Sequence, residues 1–310
     1  MQNKWNIVLD NLKESHSYIE KLIAGRKVCY LDIPFHFNVG DLLIYKGTER
    51  FFKDNNIKIN YRSFATNCNL KKVEECDVIL LHGGGNFGDI YSLHQDFREK
   101  IIKKFPHKVI ICLPQSIHFN NLDELERSAR VFKKHKEFFL LVRDKESLDT
   151  STKFTDKSAL IPDMAHSLHP LIDKSELITA VNPTKLLNLK RVDVEKVNIN
   201  SNINKRSFDW NQIITRYDKY SHKLLSKVSR ICHTFTMDEW EAQTDIIVFN
   251  SINYFYDFEE VHTDRLHGFI LAYLLGKKVS LLDNSYGKNK RYVSAWFSTD
   301  DEMIKIIGSK

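Results

Sequence analysis

Short apolar runs alternate with helix-period stretches through the first half of the chain. Residues 28–33, 57–62, 77–81, 108–113, 137–142 and 159–161 read as strands. The stretches 42–53, 96–105, 122–135 and 145–153 read as helices that bury one face. Several strand runs are apolar throughout, as in strands covered on both faces. Strands alternating with helices predict an α/β fold with a parallel sheet, whose ligands bind at the carboxyl ends of the strands. Residues 167–178 read as a connector. Beyond it, 185–194 reads as strand, 209–233 and 236–244 as largely helical, and 198–205 as a loop. Ile246-Ile247-Val248-Phe249 reads as a strand, the segment after Thr263 as a helix, and 278–282 as a strand. The pattern divides the chain into an N-terminal domain, 1–166, the connector, and a C-terminal domain, 179–310, whose last helix can pack back on the first.

Residues 1–27 form an amphipathic helical segment with Trp5, Ile7, Val8, Leu12, Tyr18, Ile19 and Leu22 as apolar positions. It lacks the apolar block of a secretory signal. Packing on the protein's own domain is its expected use, with peripheral membrane contact as the other use of such a segment.

Composition narrows the function classes. At 310 residues and 42% hydrophobic content, the chain can build two ordinary domains. No apolar run approaches the ~20 residues of a membrane span. The five cysteines are scattered and form no CxxC pair, which argues against a disulfide framework or zinc site and for a cytoplasmic setting. No metal cluster is expected. The net charge of +6 suits an anionic substrate, but acids and bases are interspersed and no nucleic-acid motif appears.

The chemistry-bearing residues fall where strands end. In Thr263-Asp264-Arg265-Leu266-His267-Gly268, Thr263 is the expected N-cap, and Arg265 and His267 stand in the first helical turn. A helix start offers free N–H groups and a positive dipole end; Arg265 strengthens it as an anion site, and His267 can move protons near neutral pH. After the first strand come His36 and Asn38-Val39-Gly40-Asp41, with Asp41 the expected cap and Asn38 free to face a cleft. His82-Gly83-Gly84-Gly85-Asn86 ends the third strand; the glycines suit backbone N–H groups approaching an anion, or a tight strand-to-helix crossing. Gln115-Ser116-Ile117-His118, Arg143-Asp144 and Pro162-Asp163 each follow a strand, and arginine can grip a carboxylate bidentately. Arg191-Val192-Asp193 reads as an exposed salt bridge. The loop from Asp283 to Arg291, with Lys288, could add cations to the anion site at Arg265.

In this order, Asn38-Val39-Gly40-Asp41, His82-Gly83-Gly84-Gly85-Asn86, Val142-Arg143-Asp144 with Ser147, Pro162-Asp163, Thr263 to Gly268 and Asp283-Asn284-Ser285-Tyr286-Gly287-Lys288 resemble the polysaccharide pyruvyl transferase family of bacterial exopolysaccharide and capsule synthesis. The resemblance implies two Rossmann-like domains facing a GT-B-like cleft. No cofactor is expected; the setting expected is cytoplasmic, and a lipid-linked acceptor would place the enzyme at the inner face of the membrane. Phosphoenolpyruvate would be the donor, and a saccharide, free or lipid-linked, the acceptor. Two sugar hydroxyls would receive the pyruvate as a ketal, releasing phosphate. Arg143, Arg265 and His267 match donor positions, with Leu266, Gly84, Gly85, Asn86 and Lys288 assigned beside them. Asn38, Asp41 and Asp163 are assigned to the acceptor. His267 is the candidate acid or phosphate partner, and His118 the candidate acceptor base. Two other readings stand: a GT-B glycosyltransferase using a nucleotide sugar, and a non-catalytic polysaccharide-assembly protein.

Overall fold

The run Val78–Leu81, with all four residues buried, needs a sheet covered on both faces, and it sits at the centre of one. The computed structural model describes residues 2–171, 186–190, 208–229, 231–283 and 287–307. Among them, the first sheet has seven strands: β1 (Val28–Leu31), β2 (Ile59–Ser63), β3 (Val78–Leu81), β4 (Gly84–Gly88), β5 (Val109–His118), β6 (Phe138–Val142) and β7 (Ser158–Leu160). The order is β2-β1-β3-β5-β6-β7, with β4 beside the far end of β5, and every pairing is parallel. The second sheet, also parallel, joins β8 (Leu186–Leu189), β9 (Glu260–Thr263), β10 (Lys278–Leu282) and β11 (Ile304–Ile307) in the order β11-β10-β9-β8. The chain leaves β1 towards β2 and returns to β3 on the other side. The ends of β1 and β3 therefore flank a switch point, where a crevice opens in such sheets.

The described helices are α1 (Gln2–Glu14), α2 (Ser17–Ile23), α3 (Val39–Asp54), α4 (Leu70–Glu74), α5 (Ser92–Lys104), α6 (Leu122–Phe132), α7 (Lys145–Ser151), α8 (Arg216–Val228), α9 (His233–Tyr256), α10 (Leu266–Leu274) and α11 (Lys288–Trp296). One apolar core lies between the first sheet and α5 and α6. The other runs without a break from Val28 and Leu80 through Leu43 of α3 to Ile270 of α10 and Val279 of β10, so the two sheets share it. Leu9, Leu12, Ile19 and Ile23 bury the inner side of α1 and α2 in that core, and Trp5 Nε1 donates to the Tyr273 carbonyl at 2.7 Å. Most of the apolar face of α1 and α2 is thus occupied by the protein itself, while Ile7 and Tyr18 stay exposed. No described helix is long and apolar enough to cross a membrane.

Three expectations are corrected. Ile246-Ile247-Val248-Phe249 is not a strand but part of α9. Trp240, Gln243, Thr244, Ile247, Val248, Ser251 and Phe255 are buried while Ile246 and Phe249 are exposed, a helical spacing that four adjacent apolar residues concealed. The strand in this region is β9, whose Glu-Val-His-Thr sequence carries one apolar side chain. Strand β5 does not stop before Pro114 but continues to His118; the pairing with β6 shifts register between Cys112 and Gln115, which accommodates the proline. The glycine-rich stretch that follows β3 forms a short further strand, β4, and the polar segment containing Lys288, expected as a loop, enters α11. Residues 172–178 of the connector, the stretch 198–205, Arg191-Val192-Asp193 and Asn284 to Tyr286 lie outside the described residues.

Candidate active site

A cleft of about 290 Å³ lies at the carboxyl ends of β1, β3 and β6 on one side and β9 and β10 on the other. Arg143 follows β6 directly and is almost fully buried. Its Nε donates to Ser116 Oγ at 3.0 Å, its carbonyl accepts Trp296 Nε1 of α11 at 2.8 Å, and its Nη1 pairs with Asp163. Lys288 opens α11 and reaches the same point from the opposite side. A methyl group at Gly85 would stand 3.1 Å from Arg143 Nη2 and run into Lys288 Nζ. Glycine at 85 therefore gives room for two cations to converge over the strand. Asn289 ties α11 in place through its Nδ2, which donates to Asp264 O (2.7 Å) and Leu282 O (2.9 Å).

The start of α10 forms the facing wall. Thr263 is not its N-cap: it ends β9, and its Oγ1 accepts the Arg265 amide at 3.0 Å. Arg265 is itself the cap residue and makes no side-chain capping bond, so among the described residues no side chain caps the start of α10, whose Leu266 and His267 line the cleft. Its guanidinium pairs with buried Asp209 at 2.7 Å. His267, in the first turn, packs against Gly40: a methyl there would lie 2.5 Å from its Nδ1. Its Nε2 lies 3.2 Å from Asp163 Oδ2. Asp163, expected on the acceptor side, is fully buried beneath Arg143 and His267, and its Oδ1 accepts the Ala165 amide at 2.9 Å. Burial opposes its ionisation, but His267, Arg143 and that amide outweigh it and hold the carboxyl well below the usual range. Tyr292 of α11 closes the floor: its hydroxyl accepts the Asp163 amide at 3.1 Å and lies 2.8 Å from His166 Nε2.

The third wall comes from the loop after β1 and from β4. Asn38, not Asp41, caps α3, its Oδ1 accepting the Gly40 amide at 3.1 Å while its Nδ2 donates to Asp41 at 2.9 Å. His36 stands 3.6 Å from the same Asp41 carboxylate. Asp32, just past β1, takes a left-handed φ of 64° and is fully buried. It is paired with Arg98 (2.7 Å) and with His94 Nδ1 (2.6 Å), and the His94 ring lines the cleft. Arg98 also donates to Asn86 Oδ1 at 2.7 Å and Asn86 O at 3.1 Å, which fixes that residue beside Gly85.

His118 lines a small adjoining pocket with Ser116, Asp144 and Arg291, sharing Gly85 and Lys288 with the main cleft. Its Nε2 lies 3.1 Å from Asn120 Oδ1. Asp144 caps α7 through the Ser147 amide (2.8 Å) and accepts the Ser116 hydroxyl (2.8 Å). Asn38, Asp41, Gly85, Asn86, Arg143, Arg265, Leu266, His267 and Lys288 are thus gathered in one cleft, and Gly84 lies next to Gly85, packed on Ile44 and Asp41. The sequence reading missed Asp32, His94, Arg98, Asp209 and Tyr292. Asp32 was detectable, since it directly follows a strand; the others lie inside helices or past the thinly patterned middle of the chain. Among the described residues, no group of three His, Cys, Asp or Glu side chains could hold a metal ion.

A cleft crowded with arginine, lysine and a helix start is built for a small, multiply anionic ligand. The sequence profile of the polysaccharide pyruvyl transferases matches residues 38–286, which include every residue lining the cleft except His36, Lys288 and Asn289; Asp32 and Tyr292, behind that lining, also lie outside the match. The chain belongs to the polysaccharide pyruvyl transferase family, and it is an enzyme of that class. It is 37% identical to EpsO of Bacillus subtilis (strain 168), over 96% of this chain and 93% of that one. It is 25% identical to Pyruvyl transferase 1 of Schizosaccharomyces pombe, over 90% of this chain and 72% of the other. A crystal structure of a functionally uncharacterized Klebsiella pneumoniae protein superposes with a TM-score of 0.63 at 21% identity, covering 96% of this chain and 98% of that one. That likeness shows the fold.

Proposed function

We propose that the cleft binds phosphoenolpyruvate and transfers its pyruvyl group, as a ketal, to two hydroxyls of a saccharide destined for an exopolysaccharide or capsule. The observation that carries this reading is the convergence of Arg143 and Lys288 over Gly85, opposite Arg265 and the start of α10. Phosphoenolpyruvate presents a carboxylate and a phosphate on a three-carbon frame, and two separate cationic holders match two anionic groups. The residues divide into a GT-B-like pair of Rossmann-like halves, 1–166 and 179–310, across the connector 167–178. The setting is cytoplasmic, and the acceptor is free or lipid-linked.

The steps balance without a cofactor. A proton reaches C3 and makes it a methyl group while one sugar hydroxyl adds at C2. The C2–O bond to phosphate breaks, and the second hydroxyl closes the ketal at C2. The two hydroxyl protons end on C3 and on phosphate. His267, steadied by Asp163, is assigned to the proton or the leaving phosphate. His118 is assigned as the acceptor base, working from the adjoining pocket across Gly85. Gly84, Gly85, Asn86 and Leu266 line the donor, and Asn38 and Asp41 face the acceptor. Asp163 is a positioning residue.

The test is phosphate release from phosphoenolpyruvate with and without diol-bearing saccharides. Release that depends on a saccharide and yields a ketal methyl signal supports the reading. Binding of a nucleoside diphosphate in place of phosphoenolpyruvate would favour the glycosyltransferase, and binding without turnover on any saccharide would favour an assembly protein.

A further inference from the structure

Helix α8 turns a divided surface to solvent. Its inner side carries the buried Leu225 and Asp218, and Asp218, its one acid, closes a capping box with Thr215. Successive helical residues lie about 100° apart. Tyr217, Tyr220 and Leu224 therefore share one outward arc, and Arg216, Lys219, Lys223 and Lys227 occupy the arc beside it. Tyr217 is 77% exposed, Tyr220 71% and Leu224 53%. All four cations are exposed. Just past the helix, Ile231 is 84% exposed. Of the acids on neighbouring α9, Glu241 and Asp245 face Lys46 at 3.4 and 2.6 Å.

The helix also stands beside the cleft. On its inner side, His222 Nε2 lies 3.1 Å from the Phe35 carbonyl, and its ring lies 4.9 Å from that of Phe37. Those residues flank His36 in the cleft wall, and Trp210, shortly before the helix, lines the cleft too.

Exposed large apolar side chains in a contiguous array mark a surface that meets something. Tyrosine rings rest well at the level of lipid headgroups, and lysines flanking them are drawn to anionic lipid. We propose that the outward face of α8 docks on an anionic bilayer surface and holds the cleft mouth beside it. The inference rests on the exposure and charge of α8 and not on the reading of the cleft.

The test is co-sedimentation of the full chain with phosphatidylcholine vesicles, plain or containing a third phosphatidylglycerol. Neither substrate nor turnover is needed, so failure here is separate from failure of the proposed reaction. The wild type should bind the anionic vesicles and release at high salt. Lys219→Ala/Lys223→Ala/Lys227→Ala should lower partitioning roughly a hundredfold, at about fivefold per basic residue near the surface. Tyr217→Ser/Tyr220→Ser/Leu224→Ser should lower it at least tenfold. Both variants change exposed positions only, and an unchanged thermal midpoint confirms folding. Equal binding by either folded variant, or a wild type that ignores the vesicles, would overturn the proposal. So would a wild type that binds soluble polyglutamate but not vesicles, which would assign the face to an acidic polymer or protein.

Discussion

Replacing Asp163 by Asn keeps the shape of the side chain and removes its charge from beneath Arg143 and His267. Arg143 is 1% exposed, and among the described residues Asp163 is the one carboxylate paired with its guanidinium. Removing one member of a buried pair costs about 3–5 kcal/mol, because the other charge stays desolvated. Asn can still accept one hydrogen bond, and Ser116 still accepts from Arg143 Nε, so the expected loss is about 3 kcal/mol at pH 7. The depressed carboxyl contributes stability that is fully present above the unfolded pKa of about 3.9 and is lost as pH falls towards the folded value. The gap between wild type and variant should therefore be flat from neutral pH down to about 5 and close as pH falls below about 4. Urea denaturation across that range measures it. In an Arg143→Met background the same Asp163→Asn change should cost much less, since the stranded charge is gone. A loss under about 0.5 kcal/mol at pH 7, the level of an ordinary surface change, would refute the reasoning.

Three further outcomes follow from the geometry. Gly85→Ala should weaken phosphoenolpyruvate binding at least tenfold in calorimetry while costing less than about 1 kcal/mol of stability, since the flexible Lys288 side chain can yield. His118→Ala should lower kcat roughly a hundredfold with donor affinity nearly unchanged; a fall seen with His94→Ala instead would move the acceptor base to the Asp32–His94 pair. Ile247→Lys, at a buried position of α9, should destabilise by more than about 3 kcal/mol, whereas Ile246→Lys should change stability by about 0.5 kcal/mol or less. Equal effects of the two lysines in thermal melts would contradict the helix.

The parallel sheet was legible because β1, β3 and β6 are apolar on both faces and the intervening helices carry a clear period. The rule that sites gather at strand ends then located Arg143, Asp163 and the segments after β1 and β3. The second sheet was harder to read. Its strand β9 holds only Val261 as an apolar residue, and α9 places Ile246 to Phe249 in an unbroken run that mimics a strand. Capping was misassigned at both helix starts: at α3 Asn38 and Asp41 both carry an acceptor that could fill the role, and at α10 the cap position falls on Arg265, whose side chain has none, so no residue preference marks it. Which carboxylate stands behind which cation was not legible at all. Asp163 meets His267 across more than a hundred residues, and Asp209 meets Arg265 across more than fifty.

The central claim is that the cation-rich cleft holds phosphoenolpyruvate. Calorimetric titration of the full chain with phosphoenolpyruvate, with uridine diphosphate and the Arg265→Ala variant run alongside, tests it most directly. The account predicts binding of phosphoenolpyruvate that Arg265→Ala weakens at least tenfold, with no comparable binding of uridine diphosphate. Binding of uridine diphosphate alone, or phosphoenolpyruvate binding that the variant retains in full, would contradict it.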